Sequence, residues 1–280
     1  MSKKAFWVLG FFLWSADILA QGRGDMEEED GAEQQENAGR QPGSKKRGPR
    51  GQDWGVVGGK TLGGGSFAIE GGMEGAFAYL GSIANRSYED DRIGFRAGFS
   101  YGLFSGLDLG LRFTFNLGWG EIQDYYRGYT YVRTTPTDTV PGVKVQALLK
   151  VGFFDTGFLS LAMKVEPGFL ADFYSGNTVM GLALPVGFQL GLALSRRVSL
   201  GILLDMPMVL EFGKQGRKDS FLLPILLGAG VDIFFTPNFL LHAALTMGPA
   251  INVVGSAWQS VHGGDVVFVA EVKSGISYRF

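Results

Sequence analysis

The sequence contains no cysteine, which excludes a disulfide framework and a thiolate metal site. Histidine is scarce as well, and the two that occur, His242 and His262, lack the spacing of a metal-binding pair. The formal net charge of −2 lacks the positive excess of a nucleic-acid-binding protein. Beyond the first twenty residues, no apolar run reaches the roughly 18 residues of a membrane-spanning helix. We therefore expect no metal site, no cofactor and no nucleic-acid partner.

The first 53 residues differ in composition from the rest. Lys3 and Lys4 precede the apolar run AFWVLGFFLW, and the small residue Ala20 follows it, a pattern typical of a cleaved signal peptide over residues 1–20. Residues 21–53 carry almost nothing apolar, which predicts a disordered linker. The folded domain is therefore expected within residues 54–280.

From about residue 66 onward the chain has the pattern of successive β-strands. In residues 107–119, LDLGLRFTFNLGW, every second residue is large and apolar, and the residues between them are polar or glycine. We place ten strands at about 66–81, 92–103, 107–119, 143–153, 158–172, 179–194, 198–212, 220–234, 238–251 and 265–280. Tight connections such as FSG, DTG, SRR and FTP alternate with longer polar ones.

This alternation of short turns and long loops over an even number of strands predicts an all-β fold, a transmembrane antiparallel up-and-down β-barrel. Residues 181–194 put bulky side chains on one face and mostly glycine and alanine on the other, which suits lipid outside and a narrow interior. A soluble barrel would instead carry Lys, Glu and Thr on its outer face. Twelve strands are the alternative, if residues 54–60 form a strand and 66–81 splits at Gly75.

The chain ends in GISYRF. This resembles the terminal strand of Gram-negative outer-membrane β-barrel proteins, which end in Phe with an aromatic residue two positions earlier, as Phe280 and Tyr278 do here. The resemblance implies an outer-membrane location, contact with outer-membrane lipid and recognition by the barrel assembly machinery. It also implies that the tight turns and the linker are periplasmic. It covers the region from about residue 66 to the end and indicates no specific functional family.

Prolines occur in five successive strands, at a similar distance from the tight turn of each. They are Pro167, Pro185, Pro207, Pro224 and Pro249. Because proline removes a hydrogen bond from the ladder, we expect this ring to mark the external edge of the regular barrel, where bulges begin and the strands flare.

The glycine-rich stretch GGKT, residues 58–61, ends like a phosphate-binding loop. That loop requires a glycine at the position of Trp54 and a helix after it, and neither condition is met. We predict that this stretch is a flexible segment preceding the first strand. Alternatively, the segment folds into the periplasmic mouth of the barrel.

The same alternation assigns charged side chains to the lumen. The predicted basic wall comprises Arg92, Arg96, Arg112, Lys144, Lys150 and Lys164, and the predicted acidic wall comprises Glu70, Glu74, Asp205, Glu211, Asp232 and Glu271. Asp108, Glu166, Asp172, Lys273 and Arg279 are exceptions that place the opposite sign in each wall.

Two passive functions fit such walls: a narrow, porin-like pore for small hydrophilic solutes oriented by a transverse field, or a closed structural barrel in which the walls neutralise each other. Ten strands lie near the size at which side chains fill a barrel, which favours the closed form. The alternatives are a surface interaction protein acting through its external loops, above all residues 121–141, and an outer-membrane hydrolase. With His242 as the sole inward histidine, we expect no enzymatic activity.

Overall fold

The computed structural model describes residues 54–83, 86–125, 132–136, 139–174, 177–212, 220–254 and 266–280. The predictions for the signal peptide, the linker and His262 lie outside these residues. The described residues form strands and turns, and none of them belongs to a helix able to cross a membrane.

Thirteen strands form within these residues, each rich in β-branched, aromatic and leucine side chains at alternate positions. They are β1 (Phe67–Ile83), β2 (Arg86–Phe104), β3 (Leu107–Tyr125), β4 (Val132–Pro136), β5 (Val140–Asp155), β6 (Leu159–Val165), β7 (Gly168–Tyr174), β8 (Asn177–Ala193), β9 (Val198–Phe212), β10 (Ser220–Pro224), β11 (Leu226–Thr236), β12 (Phe239–Val254) and β13 (Val266–Arg279).

The strands make ten passes of one closed antiparallel barrel. β6 and β7 form a single pass interrupted at Glu166 and Pro167, and β10 and β11 form another interrupted at Ile225, while the short β4 pairs with the end of β3. β13 pairs with β1 and thereby closes the barrel. The prediction of a ten-stranded antiparallel barrel is confirmed. The twelve-stranded alternative is wrong, because residues 54–60 form no strand and β1 continues through Gly75.

The outer surface of the barrel is apolar. In β3 the side chains of Leu109, Leu111 and Phe113 are exposed, whereas Asp108 and Arg112 on the alternate positions are buried. The other passes repeat this arrangement, and their exposed faces carry Phe, Leu, Ile and Met. A continuous exposed apolar belt with charges turned inward is the reverse of a soluble protein, and it identifies the barrel as a transmembrane one.

The two ends of the barrel differ. We call the end with the tight connections, at residues 105–106, 156–158, 194–197 and 237–238, the turn end, and the opposite end the loop end. At the loop end β2 begins at Arg86 and β3 continues to Tyr125, so both strands are longer than predicted. The added residues, 86–91 and 120–125, are mostly polar in the sequence, and they continue the antiparallel pairing of β2 with β3.

The prolines lie at neighbouring positions across five passes but do not begin bulges. Pro185 is paired with Pro207, and the register of β8 with β9 passes through them unchanged. The carbonyl groups of Pro167, Pro185 and Pro249 still accept backbone hydrogen bonds of 2.8–2.9 Å. Regular pairing resumes beyond each proline, in β7 and β10 among others. The expected bulges are therefore absent at these positions: each proline removes a donor without inserting a residue.

Residues 54–64 precede β1 and lie inside the barrel at the turn end, and we call this segment the plug. Its Trp54 side chain donates to the carbonyl of Pro237, and its Lys60 side chain donates to the carbonyl of Gly157, both in turns of this end. The lead into the first strand thus occupies the mouth, as the sequence allowed.

Candidate functional site: a filled lumen

The charged side chains predicted to line the lumen face the interior wherever the structure describes them. Eleven of the twelve do so; the side chain of Glu211 lies outside the described ones. The alternation of β-strands accounts for their direction, because each is flanked by residues of the apolar outer face. The five exceptions also point inward. The lumen is therefore crowded with groups of both signs.

A cluster of ion pairs occupies the central lumen, and we call it the ion-pair layer. Glu70 of β1 contacts Arg96 of β2 at 3.3 Å and Arg112 of β3 at 2.8 Å. Arg112 also pairs with Glu166, whose other oxygen is 3.6 Å from Lys164. The side chains of Glu70, Arg96, Arg112 and Glu166 are all less than 10% exposed. Each charge in this row thus has an opposite charge as its neighbour.

Three further ion pairs span the interior between passes that are not adjacent. Arg92 of β2 pairs with Asp172 of β7 at 2.9 Å, Lys144 of β5 with Glu74 of β1 at 3.0 Å, and Lys273 of β13 with Asp205 of β9 at 3.4 Å. Each of these pairs spans two intervening passes. Such contacts place side chains across the bore, because residues so far apart on the wall meet inside it.

Three of the five exceptions, Glu166, Asp172 and Lys273, form ion pairs with charged residues of the wall in which they lie. Glu166 and Asp172 lie in the basic arc and neutralise Arg112 and Arg92 there. Lys273 lies in the acidic arc and contacts both Asp205 and Glu271, the latter at 2.8 Å. Both arcs therefore contain compensating charges, and the walls do not form two opposed blocks of a single sign.

His242 belongs to this network. Its Nε2 lies 3.1 Å from Nη2 of Arg96. Because arginine only donates hydrogen bonds, Nε2 is the acceptor and the proton is assigned to Nδ1. The imidazole is thereby held by a cation and does not contact a serine or threonine hydroxyl through Nε2. Among the described residues, no three His, Asp or Glu side chains are grouped as metal ligands.

At the turn end, two buried carboxylates bind the main chain of the plug. Asp232 of β11 accepts hydrogen bonds from the backbone N–H of Val57, at 3.0 and 3.2 Å, and of Gly58, at 3.0 Å. Asp108 of β3 accepts from the N–H of Leu62 at 3.0 and 3.1 Å. Charge-assisted bonds of this kind are stronger than neutral ones. Peptide groups of the plug therefore satisfy charges that would otherwise be buried without donors.

Donors of the wall bind the carbonyl groups of the plug. Lys150 of β5 donates to Gly55 at 2.9 Å, Gln189 of β8 donates to Val56 at 3.2 Å, and the hydroxyl of Ser160 of β6 donates to Gly58 at 2.8 Å. Together with Asp108 and Asp232, these side chains come from five different passes. The wall thus contacts the plug around a large part of its circumference, and it does so through main-chain atoms.

Glycines on both sides bring the plug close to the wall. A Cβ at Gly191 of the wall would lie 2.1 Å from the carbonyl oxygen of Gly58, and one at Gly201 would lie 2.6 Å from Val57. Within the plug, Gly59 has a φ of +61°, and a Cβ there would lie 2.7 Å from the carbonyl oxygen of Gln189. Side chains at these positions would displace the plug, so the wall glycines form a surface shaped for a glycine-rich segment.

Apolar residues anchor the two ends of the plug. Trp54 and Leu62 pack with Ala68, Phe234 and Leu240 of the wall. The Trp54 ring meets Phe234 edge-on at 5.8 Å, and the guanidinium of Arg279 lies 5.5 Å from its centroid. Val57 packs with Leu203 and Ala244. These contacts remove the plug's apolar side chains from water.

A small cavity separates the plug from the ion-pair layer. Its lining includes Trp54 and Leu62 of the plug and Glu70, Arg112 and Lys150 of the wall. Its volume of about 40 Å³ accommodates roughly three water molecules. The space between the two fillings of the lumen therefore matches a few bound waters.

The plug contacts are the part of the site that sequence reasoning missed. Asp108, Lys150 and Asp232 were assigned to the lumen, but their role as ligands of a peptide segment was not predicted. The available signal was the pattern WGVVGGKTL, in which apolar side chains are spaced among glycines immediately before the first strand.

The two aromatic residues of the proposed assembly signal point away from the lumen. Tyr278 and Phe280 are exposed on the outer face, with ring centroids 4.8 Å apart. Phe280 also packs on Phe67 at 5.8 Å, and its N–H donates to the carbonyl of Phe67 at 2.7 Å. The last residue thus lies at the seam where β13 meets β1.

The solved structures to which this chain is similar share little sequence with it. No family model and no curated protein matches the chain. Among solved structures, the outer-membrane protease OmpT from Escherichia coli matches at 8% identity and a TM-score of 0.45, covering 79% of this chain and 98% of that one. The translocator domain of the autotransporter NalP from Neisseria meningitidis matches at 13% and 0.41, covering 78% and 89%. OprG from Pseudomonas aeruginosa matches at 12% and 0.35, covering 81% and 99%.

Proposed function

We propose that this protein is an outer-membrane β-barrel whose lumen is closed to solutes in its resting state, with a structural role in the cell envelope. The observation that carries the proposal is the ion-pair layer, in which Glu70 joins Arg96 and Arg112 at 3.3 and 2.8 Å within the central lumen. The plug adds a second obstruction at the turn end. A passing ion would have to break buried charge pairs and displace a hydrogen-bonded segment.

The outer-membrane location is supported by two features. The barrel carries an apolar belt of lipid-facing side chains, and its last strand presents Tyr278 and Phe280 on the outer face at the closing seam. In this location we expect the turn end to be periplasmic. The proposal assigns no reaction to the barrel, and the bond between His242 and Arg96 supports that choice.

Planar-bilayer recording of the refolded full chain tests the closed state. We expect no steady openings in the native chain, because the ion-pair layer and the plug lie in series. Steady single-channel openings of the unmodified protein would overturn the closed state and favour the narrow pore. A heat-denatured sample serves as the control for incidental leakage.

A second candidate function, surface interaction through the external loops, is favoured by the loop end. β2 and β3 pair as far as Arg86 and Asp124, and β4 adds a further short strand to β3. Residues 126–131 connect β3 to β4 in the chain. Replacing residues 126–131 with a Gly-Ser linker should abolish surface cross-linking to a partner while leaving the bilayer recordings unchanged. Cross-linking that persists would count against this candidate.

A further inference from the structure

We propose that the turn-end mouth of the barrel is a binding site for an extended, glycine-rich peptide, and that the plug is its exchangeable intramolecular ligand. The ligand class is a polypeptide main chain in which small residues alternate with a few apolar anchors. The site would accept the same sequence supplied as a separate peptide once the plug has left. This inference concerns the mouth and does not depend on whether the barrel conducts.

The first argument is that the wall recognises main-chain atoms. Asp232 and Asp108 accept from three N–H groups of the plug, and Lys150, Gln189 and Ser160 donate to three of its carbonyls. A segment that merely filled space would not require a polar wall residue for each of these groups. This pattern is that of a site built for a peptide, because main-chain contacts supply affinity and few pockets supply specificity.

The second argument is steric. At four glycines of the wall, an added Cβ would lie only 2.0–2.6 Å from atoms of the plug and would collide with it. They are Gly102, Gly191, Gly201 and Gly230. These glycines come from four different passes and together meet Val57, Gly58 and Gly63 of the plug. Their common feature is contact with the plug, so the barrel wall is recessed along the path of the peptide.

The third argument is that the plug is built to move as a unit. It forms no strand, and the hydrogen bonds described between it and the wall run through side chains, apart from the short joint at its C-terminal end, residues 63–66. In that joint, Gly63 and Gly65 have φ values of +84° and +79°, and open space surrounds the position of a Cβ at both. Glycine is present there for its backbone freedom, which suits a hinge between the plug and β1.

Asp232 further links the site to the peptide. It is fully buried, with 0% of its surface exposed, and it accepts hydrogen bonds from N–H groups of the plug, including those of Val57 and Gly58. When the plug leaves, water or another peptide must replace those donors, because a buried carboxylate without donors is costly. The empty mouth is thus more polar than the occupied one and retains its affinity for a peptide main chain.

The test uses the full chain with the plug displaced by Gly59→Val. Gly59 has a positive φ, and a Cβ at this position would lie only 2.7 Å from the carbonyl oxygen of Gln189. We therefore expect the substitution to prevent the plug from binding in the mouth, while the sequence of the wall is unchanged. A fluorescent peptide with the sequence of residues 54–64 is added in detergent, and fluorescence anisotropy is recorded. We expect saturable binding to the Gly59→Val chain at least about tenfold tighter than to the wild type, whose site is occupied.

Two controls define specificity. A peptide of the same composition in scrambled order should bind at least about tenfold more weakly. Adding Asp232→Ala to the Gly59→Val chain should also weaken binding of the native-order peptide by about tenfold or more, since a charged acceptor is lost. No binding to a correctly folded Gly59→Val chain, or equal binding of the scrambled peptide, would overturn the proposal.

Cysteine labelling supplies a second measurement, in which the plug remains part of the chain and no separate peptide is added. The chain has no native cysteine, so Val57→Cys reports the plug alone, and Ala250→Cys, equally buried in a cluster with Leu226 and Val269, reports the wall. We expect Asp232→Ala to raise the maleimide reaction rate at position 57 by about tenfold and to leave position 250 unreactive. Equal reaction at both positions would indicate loosening of the whole barrel and contradict release of the plug as a unit.

A disulfide lock completes the design. The Cβ that Gly58 would carry lies 3.5 Å from Cβ of Ser199, within the range of disulfide-bonded pairs. The Gly58→Cys, Ser199→Cys chain should form this disulfide under mild oxidation. The labelling measurement then adds Val57→Cys and Asp232→Ala to that chain. After oxidation, the cysteine at position 57 should react with maleimide at least about tenfold more slowly than before oxidation. Single Gly58→Cys is the matched control. Unchanged labelling after complete oxidation would contradict the release mechanism.

Discussion

The central lumen and the turn end of this barrel are filled by different chemistry. In the centre, charged side chains of the wall bind one another, as Glu70 does with Arg96 and Arg112. At the turn end, charged side chains of the same wall bind peptide groups of an inserted segment, as Asp232 does with Val57 and Gly58. The comparison shows that an inward charge has two ways to be compensated, and that the strand pattern does not distinguish between them.

The largest effect is expected from breaking the central filling. Glu70→Ala leaves Arg96 and Arg112 in a low-dielectric interior without their shared carboxylate, and removing one partner of a buried pair costs about 3–5 kcal/mol. Urea unfolding of the refolded barrel in lipid vesicles measures this change. A loss below about 1 kcal/mol would mean that water, and not Glu70, compensates these cations.

A smaller effect is expected from breaking the turn-end filling. Asp232→Ala removes the acceptor of three hydrogen bonds, and the plug's N–H groups lose a partner at a cost of about 1–3 kcal/mol. The same unfolding experiment gives the value. The central layer should remain intact, so the combined Glu70→Ala, Asp232→Ala chain should show additive losses; strong non-additivity would show that the two fillings are coupled.

The smallest effect is expected at a more exposed ion pair. Lys144 and Glu74 are 28% and 20% exposed and lie 3.0 Å apart, so solvent screens their attraction. A double-mutant cycle with Lys144→Met and Glu74→Gln should give a coupling of about 0–1 kcal/mol. A coupling above about 2 kcal/mol would place this pair with the buried ones and extend the ion-pair layer toward the loop end.

Much of the fold was predictable, because lipid outside and a narrow lumen inside impose a period of two on every strand. Leu109, Leu111 and Arg112 lie on the faces that the alternation assigned to them. The ends of β2 and β3 were less predictable, since residues 86–91 and 120–125 are mostly polar and show no apolar alternation in the sequence. The prolines misled for a related reason: the pattern shows a missing donor, but the register that Pro185 and Pro207 keep depends on their neighbours.

The inward direction of the side chains in the site was predictable from the sequence, but the groups that these side chains bind were not. The inward position of Asp108 and Asp232 follows from local alternation, whereas their binding to the plug depends on a segment up to about 175 residues away. Glycines such as Gly191 were predicted to make room inside the barrel, but sequence alone does not say what fills that room. The contacts between wall and plug depend on the closed barrel, which brings together residues that are far apart in the sequence.

The bond between Trp54 and Pro237 joins residues 183 positions apart, and this separation has a consequence for biogenesis. Trp54 cannot form this hydrogen bond until Pro237, which lies between β11 and β12, has taken its place in the barrel wall. Insertion of the lead therefore comes late, after most of the ladder has formed. Burial of Trp54 is therefore expected to be a late step of assembly, and its indole fluorescence would follow that step in a chain whose other four tryptophans are replaced by phenylalanine.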